Sequence, residues 1–288
     1  MIRYDPKSWI SLIFHQNSRQ VFKTLLPAQI FSSLFTVGVI YLFQDVLEIN
    51  VKSTAAVHSL MGIVLGLLLV FRVNSAYDRW WEGRVQWGKL VNDSRSMAMK
   101  LRGILSNDPV NKSFFVQFLG LFPETLKEHL RDEPNFESIN FTSEEYKSEF
   151  ISKKHKPNYV VRMMYDKVRE LKNEEKIDGY QFLDIQSSLN GMVEVVGSCE
   201  RIRNTPIPYS YSMFLKKFIF LFLTTLPFGF MAEYGYWTVL IVIFLLYILM
   251  GTELIAEEIE NPFGDDVNDL PTDDLAKNIS QNVSIILE

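Results

Sequence analysis

This chain of 288 residues has little of the chemistry that enzymes commonly use. It has one cysteine, four scattered histidines and no glycine-rich loop. The single cysteine, Cys199, excludes a disulfide within the chain and is compatible with a reducing compartment. The histidines show no metal-ligand spacing, and the sequence has neither a phosphate-binding loop nor a nucleophile elbow. We therefore expect neither an enzyme nor a required cofactor.

The chain also lacks any apolar run of the ~20 residues that a helix needs to cross a bilayer. Its four longest runs have 15 to 19 residues and lie at 25–43, 56–71, 218–232 and 237–251. That shortfall leaves open four buried helices of a soluble all-α core. The last two runs, however, are apolar around the whole helix, which is typical of membrane segments.

Residues suited to a membrane interface flank those two runs: Lys216, Lys217, Tyr234, Tyr236 and Trp237. The sequence therefore predicts four membrane helices, at about 25–45, 55–72, 214–232 and 236–252, with the lipid bilayer as a partner.

Lysine and arginine are unevenly placed around these segments. Three clusters lie beside the apolar runs: Arg3, Lys7, Arg19 and Lys23; Arg72, Arg79, Arg84 and Lys89; Arg201, Arg203, Lys216 and Lys217. Loop 44–55 has only Lys52, and turn 232–236 has no basic residue. The positive-inside rule then predicts both termini and the section 73–213 in the cytoplasm. The net charge of −5 comes largely from an acidic tail, 253–288, and does not favour a nucleic-acid partner.

The section between the second and third runs has helical periodicity and no alternating strand pattern. The second helix is expected to continue to 106, where "SNDP" (106–109) stops it. Helices follow at 110–131 and 158–200, separated by a polar connection. No Gly/Ser-rich joint divides the chain, so we expect 1–288 to be one unit. Residues 1–24 are predicted to be an amphipathic helix that either packs on the protein or lies in the membrane interface.

The stretch "GIVLGLLLVFRVNSAYDRWWEGRVQWGKL" (62–90) changes from apolar to charged without a helix breaker. Gly62 and Gly66 form a small-residue face that lets another helix approach closely. Ile63, Leu67 and Phe71, also four residues apart, form a neighbouring bulky stripe. The stripe is either an ordinary packing face or, if several copies meet around an axis, a set of hydrophobic rings that gates a pore.

The most acidic stretch is 253–274, "ELIAEEIENPFGDDVNDLPTDD". It is either a solvated acidic segment or a source of oxygen ligands for Ca²⁺. The residues for such a site would be Glu258, Asn261, Asp266 and Asp269, although their spacing does not fit an EF-hand loop.

Three motifs in this order resemble the bacterial branch of the bestrophin family: "FRVNSAYDRWWEGRVQWGKL", "GSCERIRNTPIPYSYS" and "IENPFGDDVNDLP". The resemblance extends from about Pro27 to Leu270. It implies an all-α ion channel of the bacterial cytoplasmic (inner) membrane, built as a homopentamer around a central pore with a helical cytoplasmic vestibule. The permeant ions would be small and monovalent, sodium or chloride.

The resemblance also implies roles for particular residues. Ile63, Leu67 and Phe71 correspond to the hydrophobic neck of the pore, and Leu183, next to Asp184, to a second constriction. Glu258, Asn261, Asp266 and Asp269 correspond to the calcium clasp of animal relatives, which also uses a backbone oxygen that we place near Arg3. Glu258 replaces an amide of that clasp, and Val267 and Asn268 interrupt its acidic run, so this chain departs from the clasp at these positions.

Two questions stay open at the level of sequence. A membrane-anchored scaffold or sensor that binds a protein partner is the alternative to a channel, whereas a secondary transporter should show inverted repeats that are absent. Five copies of Asp184 near one axis would favour cations. The same carboxylate paired with an arginine in a subunit interface would not, and animal and plant relatives favour anions.

Overall fold

A computed structural model describes residues 20–49, 52–139, 141 and 144–288. Within these ranges every regular element is a helix, so the all-α prediction is confirmed. The α-helices of the described chain are α1 (Gln20–Ile40), α2 (Ala55–Ile104), α3 (Pro109–Leu130), α4 (Glu144–Ser152), α5 (Lys156–Asn173), α6 (Gly179–Asn204), α7 (Tyr209–Tyr234), α8 (Thr238–Glu260) and α9 (Thr272–Leu287). A π-helical turn, Tyr41–Val46, extends α1, and short 3₁₀ turns lie at Phe136–Ser138 and Gly235–Trp237. Most of the N-terminal helix predicted at 1–24, and Arg3, lie outside the described residues.

Among the described residues, three stretches are long and apolar enough to cross a membrane: Gln20–Val46, Ala55–Ile104 and Tyr209–Glu260. The third contains two helices, α7 and α8, on either side of the 3₁₀ turn. Large apolar side chains on these stretches are exposed, including Phe31, Leu34 and Phe220, each by more than two thirds. Such a surface is stable in lipid and unfavourable in water.

The described chain forms two compact units. The first, which we call the apolar unit, comprises the residues up to Arg79 together with Pro206–Glu260. Leucines and aromatic residues of α1, α2, α7 and α8 form its core, among them Leu65, Leu69 and Leu226. In this unit α8 packs against both α1 and α7.

The second, which we call the polar unit, comprises Trp80–Thr205 and Asn261–Glu288. Its core is built around Trp87 and three phenylalanines of α3, at 115, 118 and 122, all fully buried. Helix α3 packs against α9 and α5, and α5 packs against α6.

Local signals explain where α2 ends and where α3 and α6 begin. The expected stop at "SNDP" is present: α2 ends at Ile104, and the Asp108 carboxylate accepts a hydrogen bond from the Asn111 amide as the N-cap of α3. A capping box between Asp178 and Gln181 starts α6. The predicted helix 158–200 is therefore two helices, because the chain turns between them with Glu175 at a positive φ of 58°.

The acidic tail is more ordered than a solvated segment. Its first residues, 253–260, complete α8, and its last form the amphipathic helix α9. Asp273 of α9 forms ion pairs with Lys127 (3.0 Å) and Arg131 (2.6 Å) of the polar unit. Burial of Asp273 acts to raise its pKa, but the hydrogen bonds from these two cations outweigh it and hold the pKa below its usual value. The tail is thus fastened to α3 by charge as well as by apolar contact.

Candidate pore-lining and ion-binding sites

The stripe of Ile63, Leu67 and Phe71 lies on an open face of α2. The three side chains are 71 %, 57 % and 56 % exposed, whereas Leu65 and Leu69 between them are buried in the apolar unit. Because α-helical residues four apart share a face, the stripe forms one continuous apolar surface along the helix. No described residue of this chain covers this surface. It can therefore contact lipid, pack against another copy of the chain or line a pore.

The two glycines of α2 differ in their surroundings. A Cβ atom at Gly62 would lie 3.8 Å from the Phe222 ring, so this glycine faces α7. A Cβ atom at Gly66 would have no described atom within 4 Å. The small-residue face therefore packs within the chain at Gly62 and is open at Gly66.

Arg72, the residue after the stripe, is buried in an ion-pair network that sequence reasoning missed. Its side chain is 1 % exposed and lies 3.3 Å from Glu253 and 2.8 Å from Glu260, both of α8. Glu260 also accepts hydrogen bonds from the Ile207 amide (2.7 Å) and, through its carbonyl, from Arg79 (3.0 Å). The network joins α2, α8 and the segment just before α7. The partners of Arg72 belong to the acidic run that begins at Glu253. Composition alone assigns that run to the tail and does not indicate that it meets an arginine of α2.

The residues predicted at the second constriction lie in the first turns of α6. Leu183 is 63 % exposed. The Asp184 carboxylate forms an ion pair with Lys100 of α2, at 2.8 Å. The same ammonium group donates to the Asp184 carbonyl (3.0 Å) and to Ser188 (3.2 Å). Asp184 is thus paired within its own chain, with a lysine instead of the arginine considered from sequence.

Three of the four predicted calcium ligands share one tight loop of the polar unit. Asp269 accepts a hydrogen bond from the Asp266 amide at 2.7 Å, and a Cβ atom at Gly264 would lie 2.7 Å from the same Asp269 oxygen. The Asn261 Oδ1 atom is buried, with no hydrogen-bond partner among the described residues. Glu258, the fourth, belongs to the apolar unit at the end of α8. One carboxylate oxygen of Asp269 is therefore already used to hold the loop, and calcium binding stays a prediction.

Two histidines that are distant in sequence meet at a carboxylate in the polar unit. His129 Nε2 lies 2.6 Å and His155 Nε2 2.8 Å from the same oxygen of Glu200. Sequence reasoning missed this cluster because each residue belongs to a different helix, so no spacing along the chain indicates it.

Comparison with known proteins agrees with the resemblance to bestrophins, and the matches extend over nearly the whole chain. The profile of a family described as "Bacterial/Fungal Bestrophin protein" matches residues 1–285. A "voltage-dependent anion channel-forming protein", alr2987 of Nostoc sp., is 37 % identical over 284 residues, covering 96 % of this chain and 91 % of the relative. The protein of the same description in Escherichia coli K12, YneE, is 28 % identical and covers 95 % of this chain and 90 % of the relative.

Solved structures similar to this chain are also bacterial bestrophin homologues. A crystal structure of a bacterial bestrophin homologue from Klebsiella pneumoniae, phased with zinc, superposes with a TM-score of 0.85 at 27 % identity. It covers 91 % of this chain and 98 % of that one. The crystal structure of a point mutant of the Klebsiella homologue has a TM-score of 0.83 and also 27 % identity, covering 90 % of this chain and 97 % of that one.

Proposed function

Since the chain belongs to the bacterial and fungal bestrophin family, we propose that it forms a membrane channel for small inorganic anions. Members of this family are integral membrane proteins and ion channels, so the protein is not an enzyme. The observation that carries the proposal is the relative with 37 % identity, which is described as an anion channel-forming protein and matches almost end to end.

We propose that the channel is a homopentamer in which each subunit spans the bacterial inner membrane four times, through α1, α2, α7 and α8. Four helices of one subunit are too few to enclose a pore with its own polar lining. Closed cyclic symmetry is the ordinary way in which identical subunits surround an axis. The exposed apolar surfaces of the apolar unit support this assembly, because lipid and neighbouring subunits can cover them.

In this assembly the stripe of Ile63, Leu67 and Phe71 faces the axis and forms the neck. Rings of apolar side chains gate a pore by excluding water when the diameter is small. The support is the exposure of all three side chains on one face of α2.

We propose that the second constriction lies at Leu183, with Asp184 beside it. An unpaired ring of Asp184 carboxylates would attract cations, which is the reason for favouring sodium from sequence. Because Lys100 lies 2.8 Å from that carboxylate, the pair contributes little net charge. The preference for cations loses its support, and the proposal follows the anion channels among the relatives.

Orientation is proposed from the charges. Both termini and the polar unit lie in the cytoplasm, because the basic clusters beside the membrane helices lie on their side, whereas loop 44–55 has only Lys52 and turn 232–236 has no basic residue. We propose no required cofactor. The loop of Asn261, Asp266 and Asp269, with Glu258 at the end of α8, binds Ca²⁺ only weakly.

The test is a recording from purified protein in planar bilayers with asymmetric NaCl. An anion channel gives unitary steps that reverse near the chloride equilibrium potential. Reversal near the sodium value would overturn the anion proposal, and the absence of unitary steps would favour the membrane-anchored scaffold.

The neck is tested in the same recordings. Replacing Ile63, Leu67 and Phe71 together by alanine should widen the neck and raise the unitary conductance. Phe244→Ala is the control, because Phe244 is equally exposed (63 %) but lies on α8. Equal conductance in the triple variant and the wild type would show that the stripe does not line the pore.

A further inference from the structure

The ends of three helices bring two imidazoles and a carboxylate together in the polar unit. His129 lies in the last turn of α3, His155 is the N-cap of α5, and Glu200 lies in the last two turns of α6. Their ligand atoms all lie within 4.8 Å of one another. The side chains are 23 %, 36 % and 29 % exposed, so solvent reaches the cluster. We propose that this cluster is a binding site for a divalent transition metal, of which Zn²⁺ is the best match.

The donor set selects the class of metal. Two imidazole nitrogens and one carboxylate oxygen are typical ligands of zinc in open sites, where water completes the coordination. Ca²⁺ and Mg²⁺ prefer all-oxygen sites and are disfavoured by two nitrogen donors. Cys199, next to Glu200 in sequence, does not add a thiolate, because it is fully buried and burial raises its pKa to about 12.

The distances between the ligand atoms are close to those of a zinc site. Both histidines now contact one Glu200 oxygen, at 2.6 and 2.8 Å, as hydrogen-bond donors. Zinc bonds of about 2.0–2.1 Å in a tetrahedron place neighbouring ligand atoms about 3.3 Å apart. The side chains therefore have to separate by only about half an ångström to admit the ion in place of two N–H groups.

The surrounding contacts hold the ligands in place. Arg203 donates to the carbonyl of His129 at 2.7 Å and so fixes the end of α3. The Asn158 amide donates to Nδ1 of His155 at 3.3 Å, which leaves the proton of the neutral ring on Nε2. When a metal binds Nε2, the ring proton lies on Nδ1 instead, so Nδ1 can no longer accept the hydrogen bond from Asn158. The loss is small, because the bond is long and water can accept from the exposed Asn158 amide.

The experiment uses the full-length protein without a polyhistidine tag, in detergent and free of chelator. Zn²⁺ is titrated by calorimetry, and Co²⁺ is added separately to follow its visible ligand-field bands. We expect saturable binding of one ion per chain, Co²⁺ bands of a tetrahedral or five-coordinate site, and their loss when Zn²⁺ is added.

The variants separate this site from others. His129→Gln and His155→Asn should each weaken binding by on the order of 100-fold, at least as much as the loss of an outer-shell partner does. Asparagine at 155 keeps a residue that caps a helix, so α5 still starts normally. Glu200→Gln removes the third ligand, whereas Glu194→Gln, on the same helix, and Cys199→Ser should leave binding unchanged.

Two results would overturn the proposal. One is no saturable binding of Zn²⁺ by the wild type. The other is binding that survives in His129→Gln, His155→Asn and Glu200→Gln once size exclusion has shown these variants to be folded.

Discussion

Arg72 is the residue through which the stability of the apolar unit can be tested most directly. Its side chain is 1 % exposed and lies between two carboxylates that are themselves 6 % and 16 % exposed. Replacing Arg72 by methionine keeps an unbranched side chain and removes the cation that is hydrogen-bonded to Glu253. Two acidic groups then remain in a poorly solvated place without this counter-ion.

Breaking a buried ion pair from one side costs about 3–5 kcal/mol. One Arg72 nitrogen, Nη1, and one Glu253 oxygen, Oε2, already lack hydrogen-bond partners among the described residues, so the network is partly unsatisfied even in the native protein. For a chain of this size each kcal/mol corresponds to about 2–4 °C, so Arg72→Met should lower the unfolding midpoint by about 6–20 °C.

The assay is thermal unfolding in one detergent at pH 7, followed by tryptophan fluorescence and by size exclusion after heating. Lys89→Met is the matched control, because Lys89 and its partner Glu194 are 39 % and 67 % exposed. An exposed pair is worth about 0–1 kcal/mol, so this control should shift the midpoint by less than about 4 °C.

A compensating variant separates charge from packing. Adding Glu253→Gln and Glu260→Gln to Arg72→Met removes the uncompensated carboxylates and should recover much of the lost stability. If Arg72→Met unfolds within a few degrees of Lys89→Met, or if the triple variant recovers nothing, the network does not stabilise the apolar unit through its charges.

Three further predictions concern the polar unit. A hydrogen bond from Lys176 and the cap of α3 lower the pKa of Asp108 to about 2. The substitution Asp108→Ala removes the cap and should lower the free energy of unfolding by about 1 kcal/mol at pH 7. Because the folded pKa is the lower one, this difference should persist above about pH 4 and be lost as the pH falls from there through about 2, which denaturant titrations at several pH values would measure. Lys100→Met frees the Asp184 carboxylate and should move the reversal potential in asymmetric NaCl toward the sodium value. Asp184→Asn instead frees the Lys100 cation, which favours anions, and should leave a reversal potential already near the chloride value nearly unchanged; equal shifts would contradict the pairing. Cys199, with its pKa raised to about 12, should resist iodoacetamide at pH 8 in the folded protein and react after denaturation, as mass spectrometry would show.

Local patterns in the sequence were enough for the class of fold and for the family. Apolar runs and helical periodicity predicted the membrane stretches, because lipid compatibility depends on the composition of a continuous segment. Asp108 and Pro109 predicted the break after α2, since capping and the missing proline N–H act within one turn. The four-residue spacing of Ile63, Leu67 and Phe71 likewise placed them on one face of α2.

Only the tertiary structure decided which charged groups meet. Arg72 and Glu253 are 181 residues apart, and Lys100 and Asp184 are 84 apart. His129 and His155 reach Glu200 from separate helices, so the spacing rules that work within one helix do not apply to them. The physical reason is that a membrane helix is specified by its own segment, whereas an ion pair or a metal site depends on the packing of distant helices. That packing is set by many small apolar contacts distributed along the whole chain.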